Sequence, residues 1–344
     1  MDPAKQIKSL FRKTFQLNPE RMNLLPASGS NRVNARIHFY GQTYIGTYGI
    51  DVAENETFIY LDDHFRAVSL PVPRILAISR DRKCYIQSDS GLDDLFHRLI
   101  SIDPAGSQRQ MLITLLEKAL QTLIEFQIRG ETNLDYSKCY PTPSFGKNEA
   151  LADLKYFEAY FLIPAEIAFD QVKLDEDFKA VAVAVDSSIF LSFMHRDYQS
   201  RNIILNDGAM TVIDFQGGRK GPGLYDCISL VYQSRLSLPK EIKDHLVAYY
   251  CDRINEYFRG APLNFSSEIP LIRLLRLLQV LGAYGRRGIL EQKPHFIHSL
   301  EPAIDNLAEL LDEYPDFFQR HPYLGKILHK ITAQKQNILC KLKN

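Results

Sequence analysis

Two short stretches hold the residues best suited to chemistry: His195-Arg-Asp-Tyr-Gln-Ser-Arg-Asn202 and Ile213-Asp214-Phe-Gln216. Between them, residues 203–205 and 210–213 read as short apolar strands around an Asn-Asp-Gly turn, the composition of a tight hairpin. Asp197 and Asn202 precede that hairpin and Asp214 ends it. Pairing the strands therefore brings three oxygen-bearing side chains to one end of a small element. Phosphoryl transfer asks for such a set: a carboxylate to orient an attacking hydroxyl and accept its proton, and hard oxygen ligands for magnesium. Asp and Asn beside turns also serve simply as backbone caps. The joint pattern of His-Arg-Asp, Asn, paired apolar strands and a closing Asp is what favours the chemical reading.

The elements that must hold this end in place can be read along the chain. A helix is expected over residues 4–15. Val33, Ala35, Ile37 and Phe39 then alternate with Asn34, Arg36, His38 and Tyr40, the period of a half-buried strand. Gly41-Gln42 turns the chain, and residues 43–48 pair back as a hairpin. Asp51 followed by Glu54 marks a helix start, with Phe58, Ile59, Leu61 and Phe65 as its apolar side. Two further strands are expected at 75–78 and 84–87, and a hinge near 87–91. Beyond Gly91 the period becomes helical: residues 111–129 form one helix, 149–168 another, and 271–281 a helix with hydrophobes on nearly every side, hence buried.

The chain has 344 residues, 45% of them hydrophobic, and 41 Lys+Arg balance 41 Asp+Glu. That apolar fraction supports a sizeable core, and zero formal net charge argues against a nucleic-acid partner. The five cysteines are scattered without a CxxC pair, as expected of free thiols in a reducing compartment, and the histidines form no zinc motif. No signal peptide is evident, and the most apolar run is interrupted by Arg273 and Arg276. A cytoplasmic location is expected. Residues 326–344 form a basic amphipathic stretch, expected to dock its apolar side on the parent domain and not on a membrane.

His195 to Asn202 and Ile213 to Gln216 resemble the catalytic segment shared by protein kinases and the aminoglycoside phosphotransferase/choline kinase group. Gly221-Pro-Gly-Leu-Tyr-Asp226-Cys-Ile-Ser-Leu is similar to a stretch of the small-molecule branch. Asp-Tyr-Gln-Ser-Arg-Asn with Asp-Phe-Gln looks most like the bacterial anomeric sugar kinases that act on N-acetylmuramate and N-acetylglucosamine. The resemblance implies an α+β, protein-kinase-like bilobal fold, with a small antiparallel-sheet N-lobe over 1–88 and a large helical C-lobe over 89–344. It makes Asp197 the catalytic base and Asn202 and Asp214 the magnesium ligands, with ATP as donor. His195 becomes an organiser of the loop and Asp226 a buried brace. Two departures from protein kinases favour a small acceptor: Gln199 stands where they place a Lys, and only a short Gly-rich connection separates Asp214 from Asp226.

On the nucleotide side the resemblance places a phosphate-covering loop at Leu25 to Arg32, where Ser28, Gly29, Ser30, Asn31 and Arg32 would meet the phosphates; an ordinary polar hairpin loop is the alternative. Glu56, or Glu54, takes the place of the kinase helix Glu, but residues 43–48 hold no Lys to pair with it. Arg32 or Arg36 would contact phosphate instead. The backbone of Gln87 to Asp89 would meet the adenine edge. Arg286 and Arg287 either line the acceptor pocket or simply end a helix. The expected activity is ATP- and Mg²⁺-dependent transfer to a hydroxyl of a small molecule, a sugar of the N-acetylhexosamine type being favoured. The alternatives are a nucleotide-binding regulator, suggested by the missing Lys, and an aminoglycoside- or choline-type kinase.

Overall fold

The computed structural model describes residues 2–26, 32–206, 208–258 and 260–341. In chain order the elements are α1 (Pro3–Phe15), β1 (Arg21–Leu24), β2 (Val33–Phe39), β3 (Gln42–Tyr48), α2 (Val52–Ala67), β4 (Ile75–Ile78), β5 (Cys84–Ser88), α3 (Leu95–Ile100), α4 (Arg109–Ile128), α5 (Lys147–Phe157), α6 (Gln171–Val185), β6 (Leu191–Met194), β7 (Ile203–Asn206), β8 (Ala209–Val212), β9 (Arg219–Pro222), α7 (Leu224–Val231), α8 (Lys240–Asn255), α9 (Glu268–Tyr284), α10 (Pro294–Glu313), α11 (Pro315–Gln319), α12 (Pro322–Ala333) and α13 (Lys335–Lys341). A small antiparallel sheet thus precedes a mainly helical remainder, the α+β class expected. The chain divides into two compact units. One comprises Met1–Ile102, Thr122–Ser144 and His195–Arg219, the other Asp103–Gln121, Phe145–Met194 and Lys220–Asn344.

In the first unit the strands run in the order β1-β2-β3-β5-β4. α1 starts at Pro3, with the Asp2 carboxylate accepting from the Ala4 amide at 2.9 Å, a conventional N-cap. It lays Ile7, Leu10 and Phe11 on Ala35, Ile37, Cys84 and Ile86 of the sheet. Because side chains alternate across a strand, the opposite face carries two rows fixed by register: Asn34, Thr47 and Tyr85, then Arg36, Ile45 and Gln87. The Thr47 hydroxyl donates to Asn34 Oδ1 at 2.8 Å within the first row.

α2 begins where Asp51 caps the Glu54 amide at 3.2 Å. It buries Phe58, Leu61 and Phe65. β7 and β8 form the expected hairpin, with Ile203 opposite Val212 and Asn206 opposite Ala209. Leu205 N donates to Asp93 O at 2.7 Å and Val212 N to Pro71 O at 2.8 Å, which is why the hairpin belongs with the sheet-bearing unit.

The second unit is built around α9, which packs against α5, α7 and α10. Its Leu271 to Leu278 run is buried throughout, including Arg273 at 1% exposure. That guanidinium is held by Glu313 at 2.5 Å and lies 4.2 Å from the centre of the Tyr232 ring. The C-terminal amphipathic stretch forms α12 and α13, and Ile327, Leu328, Ile331, Ile338 and Leu339 are all buried. The helix expected over 149–168 is shorter. α5 ends at Phe157, a π-helical turn follows over Glu158–Leu162, and Pro164, which has no N–H to donate, stops the ladder.

Candidate active site

The hairpin places the chemistry-bearing residues as its pairing requires. Ile213 N donates to Asn202 O at 2.9 Å, closing the ladder one step beyond Ile203 and Val212. Asn202 and the neighbouring Asp214 therefore lie at one end of the element. The Asn202 carboxamide reaches back and donates through Nδ2 to Asp197 O at 2.9 Å and to Asp197 Oδ2 at 3.2 Å. Asp197, Asn202 and Asp214 are thus joined through the hairpin within one unit. Each carboxylate also receives a glutamine two positions on: Gln199 Nε2 donates to Asp197 Oδ1, and Gln216 Nε2 donates to Asp214 Oδ1 at 2.8 Å. The repeated Asp-x-Gln spacing was visible in the sequence, though its meaning was not.

His195 is 1% exposed. Its Nε2 donates to Ile213 O at 3.0 Å, and its Nδ1 accepts from Asp197 N at 3.3 Å. Burial pushes its pKa down, against the pull of Asp197 and Asp214, so the ring stays neutral near pH 7 and bridges the two ends of the site. Arg196 and Asp214 sit at positive φ, 76° and 64°, conformations that a non-glycine residue keeps only where its surroundings impose them. Phe215 supplies that constraint for Asp214. Its ring is fully buried, stacked on Phe58 at 4.6 Å and edge-on to Phe65 at 5.6 Å. The Asp-Phe-Gln segment is thereby fastened to α2.

Of the residues expected to meet the nucleotide, Ser28, Gly29, Ser30 and Asn31 lie outside the described residues. Arg32 Nε pairs with Glu54 at 3.4 Å, and its side chain is 6% exposed. Glu56 lies beside this pair in sequence but binds Arg82 through both carboxylate oxygens at the surface. Arg36 is fully engaged: it grips Asp89 through two bonds of 2.5 and 3.1 Å and donates to Gly91 O at 2.9 Å. Asp89 therefore braces the segment after β5, while Gln87 lies within β5, opposite Ile45 of β3. The Gln87 side-chain oxygen is buried with no hydrogen-bond partner. In the second unit Asp226 is fully buried in the first turn of α7. Arg286 and Arg287 lie in a π-helical turn, over the rings of Tyr160 at 5.4 Å and Phe296 at 5.7 Å.

Magnesium prefers oxygen ligands and is commonly held by one or two protein groups together with substrate phosphates and water. Among the described residues no cluster of three or more His, Cys, Asp or Glu side chains could cage a metal ion. The donor set at the hairpin end fits the sparser arrangement. The Asn202 carboxamide uses its nitrogen on Asp197 and keeps its oxygen as an acceptor, while Gln216 donates to one oxygen of Asp214.

Solved structures of related shape place this fold. A choline kinase from Streptococcus pneumoniae matches 88% of this chain and 99% of its own, with a TM-score of 0.58 at 12% identity. A thermostable aminoglycoside phosphotransferase APH(4)-Ia in complex with ADP and hygromycin B matches 88% and 97%, with a TM-score of 0.53 at 14% identity. Fold and sequence together define a protein-kinase-like phosphotransferase, a small-molecule kinase that uses an alcohol group as acceptor. The chain belongs to the phosphotransferase enzyme family (APH), whose profile matches residues 51–263. Curated relatives include the N-acetylmuramate/N-acetylglucosamine kinases of Pseudomonas aeruginosa, 26% identical over 70% of this chain and 71% of that one, and of Neisseria meningitidis, 22% identical over 71% and 73%. Among the described residues no helix is long and apolar enough to cross a membrane.

Proposed function

We propose that this kinase moves the γ-phosphoryl group of ATP, with Mg²⁺, onto the reducing-end hydroxyl of an N-acetylhexosamine-type sugar. The observation that carries the reading is the joining of Asp197, Asn202 and Asp214 at one end of the β7–β8 hairpin. Asp197, held by Gln199 and Asn202, orients the acceptor hydroxyl and takes its proton as the oxygen attacks phosphorus. Asp214 and the Asn202 carboxamide oxygen hold the metal. Bound there, magnesium neutralises charge on the β- and γ-phosphates. Neutral His195 keeps the two ends of the site in register and transfers no proton.

The sugar rests on the names of the curated relatives. The test is phosphate transfer from ATP to a panel of N-acetylmuramate, N-acetylglucosamine, choline and kanamycin. Turnover of an N-acetylated sugar to a product hydrolysed by hot dilute acid, the behaviour of a reducing-end phosphate, is expected. Efficient use of choline or kanamycin with both sugars inert would refute the choice of acceptor.

A further inference from the structure

The second unit holds a cavity that shares no residue with the proposed catalytic hairpin. It runs along one side of α8, where Asp244, Ala248, Cys251, Asp252 and Asn255 follow at the spacing of a single helical face. Leu263, Phe265 and Ile269 form its other wall, and the rings of Tyr232 and Tyr314 complete it. Its volume is about 340 Å³, within the roughly 300–1,000 Å³ of small-molecule pockets.

Much of the polar lining is already satisfied. Asn255 donates to Leu263 O at 3.2 Å and accepts from Leu263 N at 2.7 Å. Asn264 Oδ1 accepts from Ser266 N at 3.0 Å, and Asp244 binds Lys240 at 2.7 Å. Tyr232 and Asp252 are placed differently. Tyr232 is 6% exposed, and among the described residues its hydroxyl makes no hydrogen bond. Arg273 and Lys243 lie 4.2 and 5.2 Å from the centre of its ring, so the ring is engaged while the hydroxyl is not. A buried hydroxyl without a partner is uncommon in a native protein and points to a group that completes it.

Asp252 is exposed at the rim and forms no ion pair among the described residues. Around it the charges are matched. Lys240 bridges Asp244 and Glu313, Lys243 meets Glu309, and Arg273 meets Glu313. Three cations thus face four carboxylates, and Asp252 is the one left over. Among the described residues no Lys, Arg or His lines the cavity. Burial pushes the Cys251 thiol up to about 12, so it adds no charge near pH 7.

We propose that this cavity is a binding site for a small primary ammonium ion carried on an apolar group. An ammonium group offers three donors and no acceptor, which suits a wall whose open groups are a carboxylate and a phenol oxygen. Asp252 supplies the charge and the Tyr232 hydroxyl an acceptor, while Phe265 and Tyr314 meet the apolar body. An anion of the same size would face Asp252 with no lining cation to offset it.

The experiment is a ligand-observed NMR titration of the nucleotide-free full chain with benzylamine, benzyl alcohol and benzoate, which share one frame and differ in the polar group. It needs no nucleotide, so its result is separate from the kinase reading. Benzylamine is expected to bind about fivefold tighter than benzyl alcohol and about tenfold tighter than benzoate at low salt. Asp252→Asn should bring benzylamine to within about twofold of benzyl alcohol, and Tyr232→Phe should weaken benzylamine about threefold. Because Asp252 is exposed and has no partner to lose, its variant should melt within about 1 °C of the wild type, so lost affinity there reports the site and not the fold. Benzoate binding as tightly as benzylamine would overturn the proposal. Unchanged benzylamine affinity in either variant, or no saturable binding of benzylamine to the wild type, would overturn it equally.

Discussion

At the scale of single residues, Asp197 and Asp214 receive the same kind of partner yet are assigned different work. Each is met by the glutamine two positions on, but only Asp197 is also touched by Asn202. Asp197→Asn keeps the size of the side chain and one of the two accepted bonds, and removes the proton acceptor. It should lower kcat by about 10²–10⁴-fold while AMP-PNP affinity stays within threefold; a variant keeping more than a tenth of wild-type kcat would exclude Asp197 as the base. Asp214→Ala removes the only carboxylate of the proposed metal pair, so calorimetry should show the magnesium-dependent part of nucleotide binding lost. Asn202→Ala should cost less, because a neutral carboxamide contributes less charge. The sequence made these three residues legible because hairpin pairing alone converges them. It could not tell apart Glu54 and Glu56, which lie on one helical turn; in the structure Glu54 pairs with Arg32 and Glu56 with Arg82.

At the scale of elements, strands and capped helices near the N-terminus were legible almost to the residue, because period-two alternation and Asp51 carry the signal locally. The helix expected over 149–168 was not, since its end depends on a π-helical turn and Pro164. Helices α6, α8 and α10 were not singled out at all. α2 hides one further feature. Asp62 is fully buried; one of its oxygens has no hydrogen-bond partner, and the other accepts only a long bond from Ile75 N at 3.5 Å. Burial raises its pKa from 3.8 to about 7. A carboxyl group raised in this way is charged at a cost in the folded protein above pH 7, and that cost fades as pH falls from 7 towards 4, where the unfolded chain also protonates. Asp62→Asn should therefore raise the melting temperature most at pH 8, with the gain shrinking at pH 5. Thermal melts across that range decide it, and an equal gain at both values would mean that the charge is not the cause.

At the scale of the whole molecule, the motif residues fall in one unit although the chain reaches them from the other. His195–Arg219 belongs with Met1–Ile102, while the flanking strand β6 and helix α7 belong to the second unit. A linear reading that cuts the chain once could not show this, because the grouping comes from contacts such as Phe215 on Phe58 and Val212 on Pro71. It has a measurable consequence. Every described residue expected to meet the nucleotide or its metal, namely Arg32, Glu56 or Glu54, Gln87, Asp89, Asn202 and Asp214, lies in the first unit. A ligand raises the free energy of those openings that break its own contacts, so protection from amide exchange should follow that grouping. With saturating AMP-PNP and magnesium, hydrogen exchange should slow in residues 33–48, 84–91 and 203–217, and change little in α8, α10 and α12. Asp214→Ala should abolish the magnesium-dependent part of that slowing. Comparable protection of α8 and α10 by nucleotide alone would place the donor contacts elsewhere in the chain.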